Sequence, residues 1–497
     1  MSAHFSARHA RNVRAAACRG AVALGFLLLL TRGLPMQAAE LWVGAATVNI
    51  TPDKPVALDG HRNLRISNKV ESPLSATALA LESREGDKVV DQAILVSCDV
   101  VAIRAGILDK VRENVKSRLP DFELNKLLLS ATHTHNAPVT VEGRYTLPES
   151  GVMPPAAYVE FMTAAIGDAI VTSWQQRRKG ALGWGQAHAV VAQNRRALYA
   201  NGTAQMYGDT NTQDFRGLEG YEDHNLDVLF FWDEQNRLIA TAINVPCPAQ
   251  EAEGGQSIHA DYWHPVRETL RQRHGQDLAV LGWIGAAGDQ SPRPLYGKAI
   301  DDRMRRLRGL TRLEEISRRI VNGWEEAYEA AQKDIRHDAT LQHRVQRIEL
   351  PHRKVTDTEV AEARAAAAKY ADDPAQLWNY RWYQAVVERH QAQQAGTEPP
   401  YTMELHALRL LDVAVTTNEF ELYTDYGVQI KARSPAVQTF VIQLATGSGG
   451  YLPTERAVRG GGYGAVIQSS RVGPEGGQVL VDRTVAELNA LWSQSKP

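Results

Sequence analysis

The amino-acid sequence predicts an α/β protein whose core is a mixed β-sheet flanked by helices. Apolar stretches rich in branched residues alternate with stretches of helical period along most of the 497 residues, and strands that alternate with helices of this length favour a largely buried sheet. The composition, with 44% hydrophobic residues, is that of a globular protein. The predicted strands cover residues 41–50, 89–98, 126–130, 228–232, 238–245 and 278–284, and the predicted helices cover residues 107–115, 156–174, 263–273 and 313–331.

The beginning of the chain has the pattern of a secretory signal peptide. Four arginines precede an apolar run at residues 21–30, and the small residues Ala38 and Ala39 follow it, which is the order that such peptides show. The run is too short to cross a bilayer, which requires about 20 apolar residues. We therefore expect residues 1–39 to be removed and residues 40–497 to form a single catalytic domain that is secreted or periplasmic. An uncleaved N-terminal anchor is the alternative.

The charge balance narrows the choice of partners. The formal net charge is -2 at pH 7, which gives no electrostatic reason to expect a nucleic acid or an anionic membrane as partner.

Residues 301–394 differ from the rest of the chain. They are charged, rich in alanine and poor in strand pattern, which predicts helices at the surface because such a density of charge is costly to bury. We expect a charged helical insertion, part of which lies over the substrate pocket. Strand patterns return at residues 403–413 and 437–444, and a last amphipathic helix is predicted at residues 481–492.

A pair of histidines follows one of the apolar strands. The segment from Ser130 to Pro138 reads Ser-Ala-Thr-His-Thr-His-Asn-Ala-Pro, and active sites of open sheets collect at such strand ends. In extended backbone, His133 and His135 point to one side and can converge on one metal ion or one substrate. A pair of hydrogen-bonded surface histidines is the alternative.

A glycine-rich loop follows another apolar strand. Residues 285–293 read Gly-Ala-Ala-Gly-Asp-Gln-Ser-Pro-Arg. The glycines allow a sharp turn that presents backbone N–H groups to an anion, as an oxyanion hole does, with the Ser291 hydroxyl at the rim. The alternative is an ordinary loop in which Asp289 and Ser291 stabilise a turn.

Together these segments resemble the neutral/alkaline, non-lysosomal ceramidase family, in which a His-Thr-His strand end and a Gly-Asp-x-Ser-Pro loop occur in this order. Residues 43–51 resemble the opening strand of that family, and Asn194-Arg195 resembles an Asn-Arg pair of its substrate pocket. Residues 450–454, followed by 463–465, resemble its closing motif. The resemblance extends over residues 43–491.

The resemblance implies an exported, Zn²⁺-dependent hydrolase that cleaves the amide bond of an N-acyl substrate such as a sphingolipid. In these enzymes zinc polarises the carbonyl and activates a water molecule. The family pattern implies His133, Glu421 and Tyr451 as zinc ligands, Ser291 and its neighbour Asp289 in the catalytic loop, and His135, Arg195 and Tyr463 as partners of the polar atoms of the substrate. Whether Ser291 attacks the carbonyl or orients water and substrate is left open.

One ligand position departs from the family pattern. Where the family has a histidine followed by proline, this chain reads Asn-Val-Pro-Cys-Pro at residues 244–248. Cys247 therefore falls at the fourth ligand position, and a thiolate binds zinc well. The alternatives are that His259 takes the place, or that Cys247 is a small buried residue of a proline-bracketed turn. A ligand thiolate cannot be in a disulfide, so we expect Cys98 and Cys247 to be unbonded.

Two other interpretations remain open at this stage. Asp99, at the end of a predicted strand, is either a partner that orients a histidine ligand or a cap. Ceramidases of this family also carry a C-terminal immunoglobulin-type β-sandwich, which we do not expect after the helix at residues 481–492. The alternative functions are therefore a metal hydrolase of a non-lipid amide or ester, and a non-catalytic envelope binding protein that retains the pocket.

Overall fold

The computed structural model describes residues 39–493, so the predicted signal peptide lies outside the described residues except for Ala39. None of the described helices is long and apolar enough to cross a membrane. The helices are α1 Ile107–Lys116, α2 Pro155–Gln175, α3 Trp263–His274, α4 Lys298–Leu307, α5 Arg312–Ala331, α6 Asp357–Ala368, α7 Leu377–Ala395, α8 Thr424–Arg433, α9 Glu455–Gly460 and α10 Pro474–Ser493. The strands are β1 Glu40–Asn49, β2 Lys69–Val70, β3 Ser75–Glu85, β4 Lys88–Cys98, β5 Leu127–Ala131, β6 Arg178–His188, β7 Gln193–Asn194, β8 Arg196–Tyr199, β9 Ala204–Met206, β10 Phe215–Leu218, β11 Asn225–Asp233, β12 Leu238–Val245, β13 Ser257–Ile258, β14 Ala279–Ile284, β15 Gln290–Ser291, β16 Leu341–Leu350, β17 Tyr401–Leu410, β18 Val413–Thr417, β19 Glu421–Leu422, β20 Gln438–Ile442 and β21 Tyr451–Leu452.

An eight-stranded mixed sheet forms the centre of the fold. Its strand order is β14-β12-β11-β6-β1-β3-β4-β5. The pairs β12–β14 and β4–β5 are parallel, and the other pairs are antiparallel. Together with the helices this arrangement confirms the predicted mixed α/β class.

A second sheet of four strands, in the order β16-β17-β18-β20, packs against the first. Alternate residues of a strand point to opposite faces. Leu95 and Leu128 accordingly share a buried cluster with Phe440 of the second sheet, whereas Ile94 and Leu127 pack with helices α1 and α2. Both faces of the central strands are therefore buried, which explains their continuous apolar sequences.

The segment at residues 301–394 is mostly helical, as expected, but it is not wholly peripheral. Helix α5 packs Ile320 and Trp324 into a buried cluster with strands of the large sheet, and β16 is an edge strand of the second sheet. Strand β16 places exposed charged residues, among them Arg347 and Glu349, beside buried ones such as Ile348. This alternation made the strand resemble a polar helical region. Helices α6 and α7 do pack on each other away from the two sheets.

Two histidines connect the sheets at this missed strand. His343 of β16 bonds through Nε2 to Nδ1 of His406 in β17 at 2.9 Å, and through Nδ1 to the carbonyl oxygen of Gln92 in β4 at 3.1 Å. Glu404 accepts from Nε2 of His406 at 2.9 Å. Burial lowers the pKa of both imidazoles, and for His343 the neighbouring His406 adds to the effect.

These two histidines predict that the folded protein becomes less stable as the pH falls. Both pKa values are lower in the folded chain than the ordinary 6.5, so the unfolded chain binds protons that the folded chain does not. The stabilising effect is complete above about pH 6.5 and is lost as the pH falls towards the folded-state pKa values. In urea titrations, His343→Gln should reduce the slope of unfolding free energy against pH by up to about 1.4 kcal/mol per pH unit. The exposed His337→Gln should keep the parental slope, and equal slopes in parent and His343→Gln would contradict this account.

Candidate active site

Four loops that begin at strand ends meet at one place. The loop after β12 reaches the loop after β5, where the Ala249 amide donates to the Thr132 carbonyl oxygen at 3.2 Å. The segment after β20 reaches the end of β14, where the Gln443 amide donates to the Ile284 carbonyl oxygen at 3.0 Å. The site is therefore built where strands of both sheets end.

His133 and His135 converge, although not through extended backbone. His133 has a φ of 64°, which is uncommon for a residue with a side chain, and its amide donates to the Val100 carbonyl oxygen at 3.0 Å. Its Nδ1 lies 2.6 Å from the Val101 carbonyl oxygen. Because a carbonyl only accepts, Nδ1 carries the proton and Nε2 has a free lone pair. That Nε2 lies 3.3 Å from Nε2 of His135.

Glu421 lies beside Nε2 of His133, and Tyr451 lies next to Glu421. Strands β19 and β21 pair in parallel and place these two residues opposite each other. A carboxylate oxygen of Glu421 is 3.6 Å from Nε2 of His133. Burial lowers the pKa of His133 to about 4 in spite of this carboxylate, so the imidazole is neutral near pH 7. Burial and Glu421 raise the pKa of Tyr451.

A buried guanidinium, Arg195, is the centre of the site. Its Nη1 donates to the Tyr207 hydroxyl at 3.3 Å and to Oε1 of Gln250 at 3.2 Å. Its Nη2 donates to the Gly288 carbonyl oxygen at 2.9 Å and to the Tyr451 hydroxyl at 3.3 Å. Burial alone would lower its pKa, but the neighbouring phenols and the carboxylate of Glu421 outweigh this effect and raise it. The cation is fixed in one orientation.

Ser291 is connected to this cation through Tyr207. The Tyr207 hydroxyl donates to Oγ of Ser291 at 3.1 Å, and the backbone amide of Arg293 donates to the same oxygen at 3.1 Å. Ser291 is fully buried. The serine therefore stabilises its own loop, as the alternative interpretation expected, and is also one residue away from Arg195 in the hydrogen-bond network.

Asp289, which was predicted to be catalytic, holds its loop in place. One carboxylate oxygen accepts from the backbone amide and the hydroxyl of Thr424, at 3.0 and 2.6 Å. The other accepts from the side chain of Asn194 at 3.4 Å. Both oxygens are thus used to hold the loop to the first residue of α8.

Tyr463 lies at the exposed edge of the site, with 39% of its surface accessible. Its ring centroid is 5.6 Å from that of Tyr451 and 6.0 Å from that of Trp382 in α7. The guanidinium of Arg62 lies over the rings of Tyr463, Trp382 and Trp378, at 5.2, 4.6 and 4.9 Å. Helix α7 therefore borders the opening with aromatic side chains around a cation.

Cys247, the expected fourth ligand, does not lie with the other expected ligands. Its sulfur lies in a buried apolar cluster and contacts the carbonyl oxygens of Val191 and Pro248, each at 3.7 Å. Among the described residues, no metal-binding group of three His, Cys, Asp or Glu side chains includes it. His259 does not replace it: its Nδ1 accepts from the Asp261 amide at 2.7 Å, and its Nε2 faces Glu71 at 3.8 Å.

Gln250, three residues after Cys247, occupies the site instead. Its Nε2 lies 2.7 Å from Nε2 of His135, and its Oε1 accepts from Arg195. Sequence reasoning missed this residue, although a polar side chain just after a strand-end turn was a usable signal. Of the two roles left open for Asp99, the structure favours the cap: it accepts from the Ser75 amide at 2.9 Å and pairs with Arg267 at 2.6 and 3.0 Å. The Val101 carbonyl orients His133.

Solved ceramidase structures have this fold. The crystal structure of neutral ceramidase from Pseudomonas aeruginosa matches with a TM-score of 0.66 and 16% identity, over 91% of this chain and 75% of that chain. A structure described as ceramidase complexed with C2 matches with a TM-score of 0.64 and 16% identity, over 92% of this chain and 76% of that chain. No protein-family model and no curated protein sequence matches. The chain therefore has the neutral ceramidase fold, as its motifs predict.

Both described cysteines are free and buried, as expected, and burial raises the pKa of each thiol. We expect neither thiol to react with a thiol reagent in the folded protein, and both to react after unfolding in urea. Cys247→Ala should leave the metal content unchanged because its sulfur faces the apolar core, with Cys98→Ala as the matched control. Loss of bound metal in a folded Cys247→Ala protein alone would contradict this placement.

Proposed function

We propose that this protein is an exported, zinc-dependent hydrolase that cleaves the amide bond of an N-acyl substrate. The observation that carries the proposal is the convergence of His133, Glu421 and Tyr451 next to the fixed cation of Arg195, within a ceramidase fold. The export follows from the pattern at residues 1–39 and is part of the proposal.

The donor set fits a zinc ion. A neutral imidazole nitrogen and a carboxylate oxygen are ordinary zinc donors, and three protein ligands leave the open position that catalytic sites require. His133 is preorganised for this role, because the Val101 carbonyl fixes its tautomer. Glu421 and Tyr451 would supply the two oxygens. When bound, zinc would polarise the scissile carbonyl and lower the pKa of a bound water towards about 7.

Arg195 would stabilise the negative charge that develops on the carbonyl oxygen. Preorganised donors in a buried site act strongly because they need no reorientation during the reaction. Gly288 and Gln250 hold the guanidinium in place. The edge of His135 faces the same space and would bind the amide group of the substrate, while Tyr463 would contact it at the opening.

Ser291 would orient the substrate rather than attack it. Its oxygen already accepts two hydrogen bonds, from Tyr207 and from the Arg293 amide, so an attack would have to displace one donor. Its own proton remains available to a carbonyl or a water molecule in the site. This arrangement supports the orienting role among the two that the sequence left open.

A non-lipid amide is a second candidate substrate, on the basis of one observation. Arg62 stacks on Trp378, Trp382 and Tyr463 at the opening. This rim places a charge where the acyl chains of a lipid would pass, and it favours a smaller or anionic N-acyl compound.

Ser291→Ala should lower turnover by about 10²–10³-fold, the loss seen for single orienting donors, with little change in metal content. Tyr207→Phe, which breaks the connection to Arg195, should lower it by a smaller factor. Turnover would be followed with a fluorogenic N-acyl substrate. The control is Ser97→Ala, a buried serine that donates to the Gly282 carbonyl oxygen at 2.7 Å in the sheets. Activity of Ser291→Ala within a few-fold of the parent would remove this residue from the mechanism.

A panel of N-acyl lipids and short N-acyl amides, assayed beside elemental analysis, tests the function itself. We expect hydrolysis that disappears on chelation and returns with Zn²⁺. Arg62→Ala should raise the rate on N-acyl lipids relative to short amides if the rim excludes acyl chains. A protein that binds these compounds without hydrolysing any of them, with zinc present, would be a binding protein and would refute the proposal.

A further inference from the structure

We propose that His61, His135 and Glu253 form a second site for a divalent transition-metal ion, next to the first. The proposal goes beyond the proposed function, because neither site needs the other to bind its ion. The three residues lie on three different loops, and one donor atom from each lies within 4.8 Å of the other two.

The geometry is that of ligands around one ion. Nδ1 of His135 and a carboxylate oxygen of Glu253 are 3.1 Å apart. Two donors of a tetrahedral ion with bonds of about 2.0–2.1 Å are separated by about 3.3 Å. Two imidazoles and one carboxylate are a donor set that zinc, iron and manganese use in proteins.

Two nitrogen atoms of the cluster lack hydrogen-bond partners. Within residues 39–493, Nε2 of His61 and Nδ1 of His135 are buried and make no hydrogen bond. Nδ1 of His135 lies close to the Glu253 carboxylate without the geometry of a hydrogen bond. A buried polar atom without a hydrogen-bond partner is costly. A metal ion between these atoms would satisfy all three side chains.

The surroundings orient each donor. Arg293 binds the other oxygen of Glu253 at 2.9 Å, which leaves the facing oxygen for the cluster. The Tyr145 hydroxyl donates to the His61 carbonyl oxygen. Gly60 has a φ of 93°, and a side chain there would collide with the ring of His135. The loop can therefore bring His61 to His135 only with glycine at this position.

His135 connects the two sites. A metal ion on its Nδ1 requires the proton on Nε2, and the unprotonated Nε2 of His133 lies 3.3 Å from that nitrogen. The second ion would thus set the tautomer of the residue that faces the substrate.

Titration of metal-stripped protein with Zn²⁺, followed by calorimetry and elemental analysis, tests the inference. We expect two ions per chain. His61→Asn and Glu253→Gln should each lower the affinity for one of the two ions by about 100-fold or more, above the 10–100-fold loss caused by removing an outer partner. The affinity for the other ion should stay unchanged. Glu251→Gln is the matched control from the same loop, since Glu251 pairs with Arg312, and it should bind two ions.

The outcomes separate the two proposals. One ion that is lost in His61→Asn and Glu253→Gln but kept in Glu421→Gln supports this site and refutes the zinc site of the proposed function. One ion lost only in Glu421→Gln overturns the inference and leaves the proposed function standing. The inference is also overturned if the parent, His61→Asn and Glu253→Gln bind zinc equally well, or if the parent binds no zinc. Because His61 and Glu253 lie on separate loops, misfolding of one variant leaves the other to decide.

Discussion

The buried charge of Arg195 is the constraint on which the site depends. A guanidinium without compensation in the interior costs several kcal/mol, so every oxygen around it has to be held in place. Those oxygens come from Tyr207, Gln250, Gly288 and Tyr451, which are far apart in the sequence. The cation therefore ties four segments together, and the same fixed charge is what makes the site suited to an anionic transition state.

Much of the fold could be predicted because the main strands and helices are regular. Strands such as β5 and β14 of the large sheet are buried on both faces and read as apolar runs, and helices α1, α2, α3 and α5 follow the predicted ranges closely. Strand β16 could not be recognised, since only one of its faces is buried and charged residues alternate along it. Its place was decided by pairing with β17, more than 50 residues later in the chain, and pairing of this kind leaves no local signal.

The site could be predicted where a motif follows a strand end, and less well where a turn decides the direction of a side chain. His133, Glu421 and Tyr451 come together as the resemblance implied. Cys247 does not, because the proline-bracketed turn directs its sulfur into the apolar core and brings Gln250 to the site. A neutral amide in the place expected for a metal ligand changes the chemistry from coordination to hydrogen bonding. Residue types alone cannot show that the side chain in the site is the one three positions after the expected ligand.

The origin of the site residues in both sheets has a further consequence. His133 follows a strand of the eight-stranded sheet, whereas Glu421 and Tyr451 follow strands of the second, four-stranded sheet. A fragment that contains only one of the two sheets would therefore lack at least one of these three residues. The distances between these groups depend on how the two sheets pack, so a shift of one sheet by about one ångström would disrupt the proposed site while leaving every helix and strand intact.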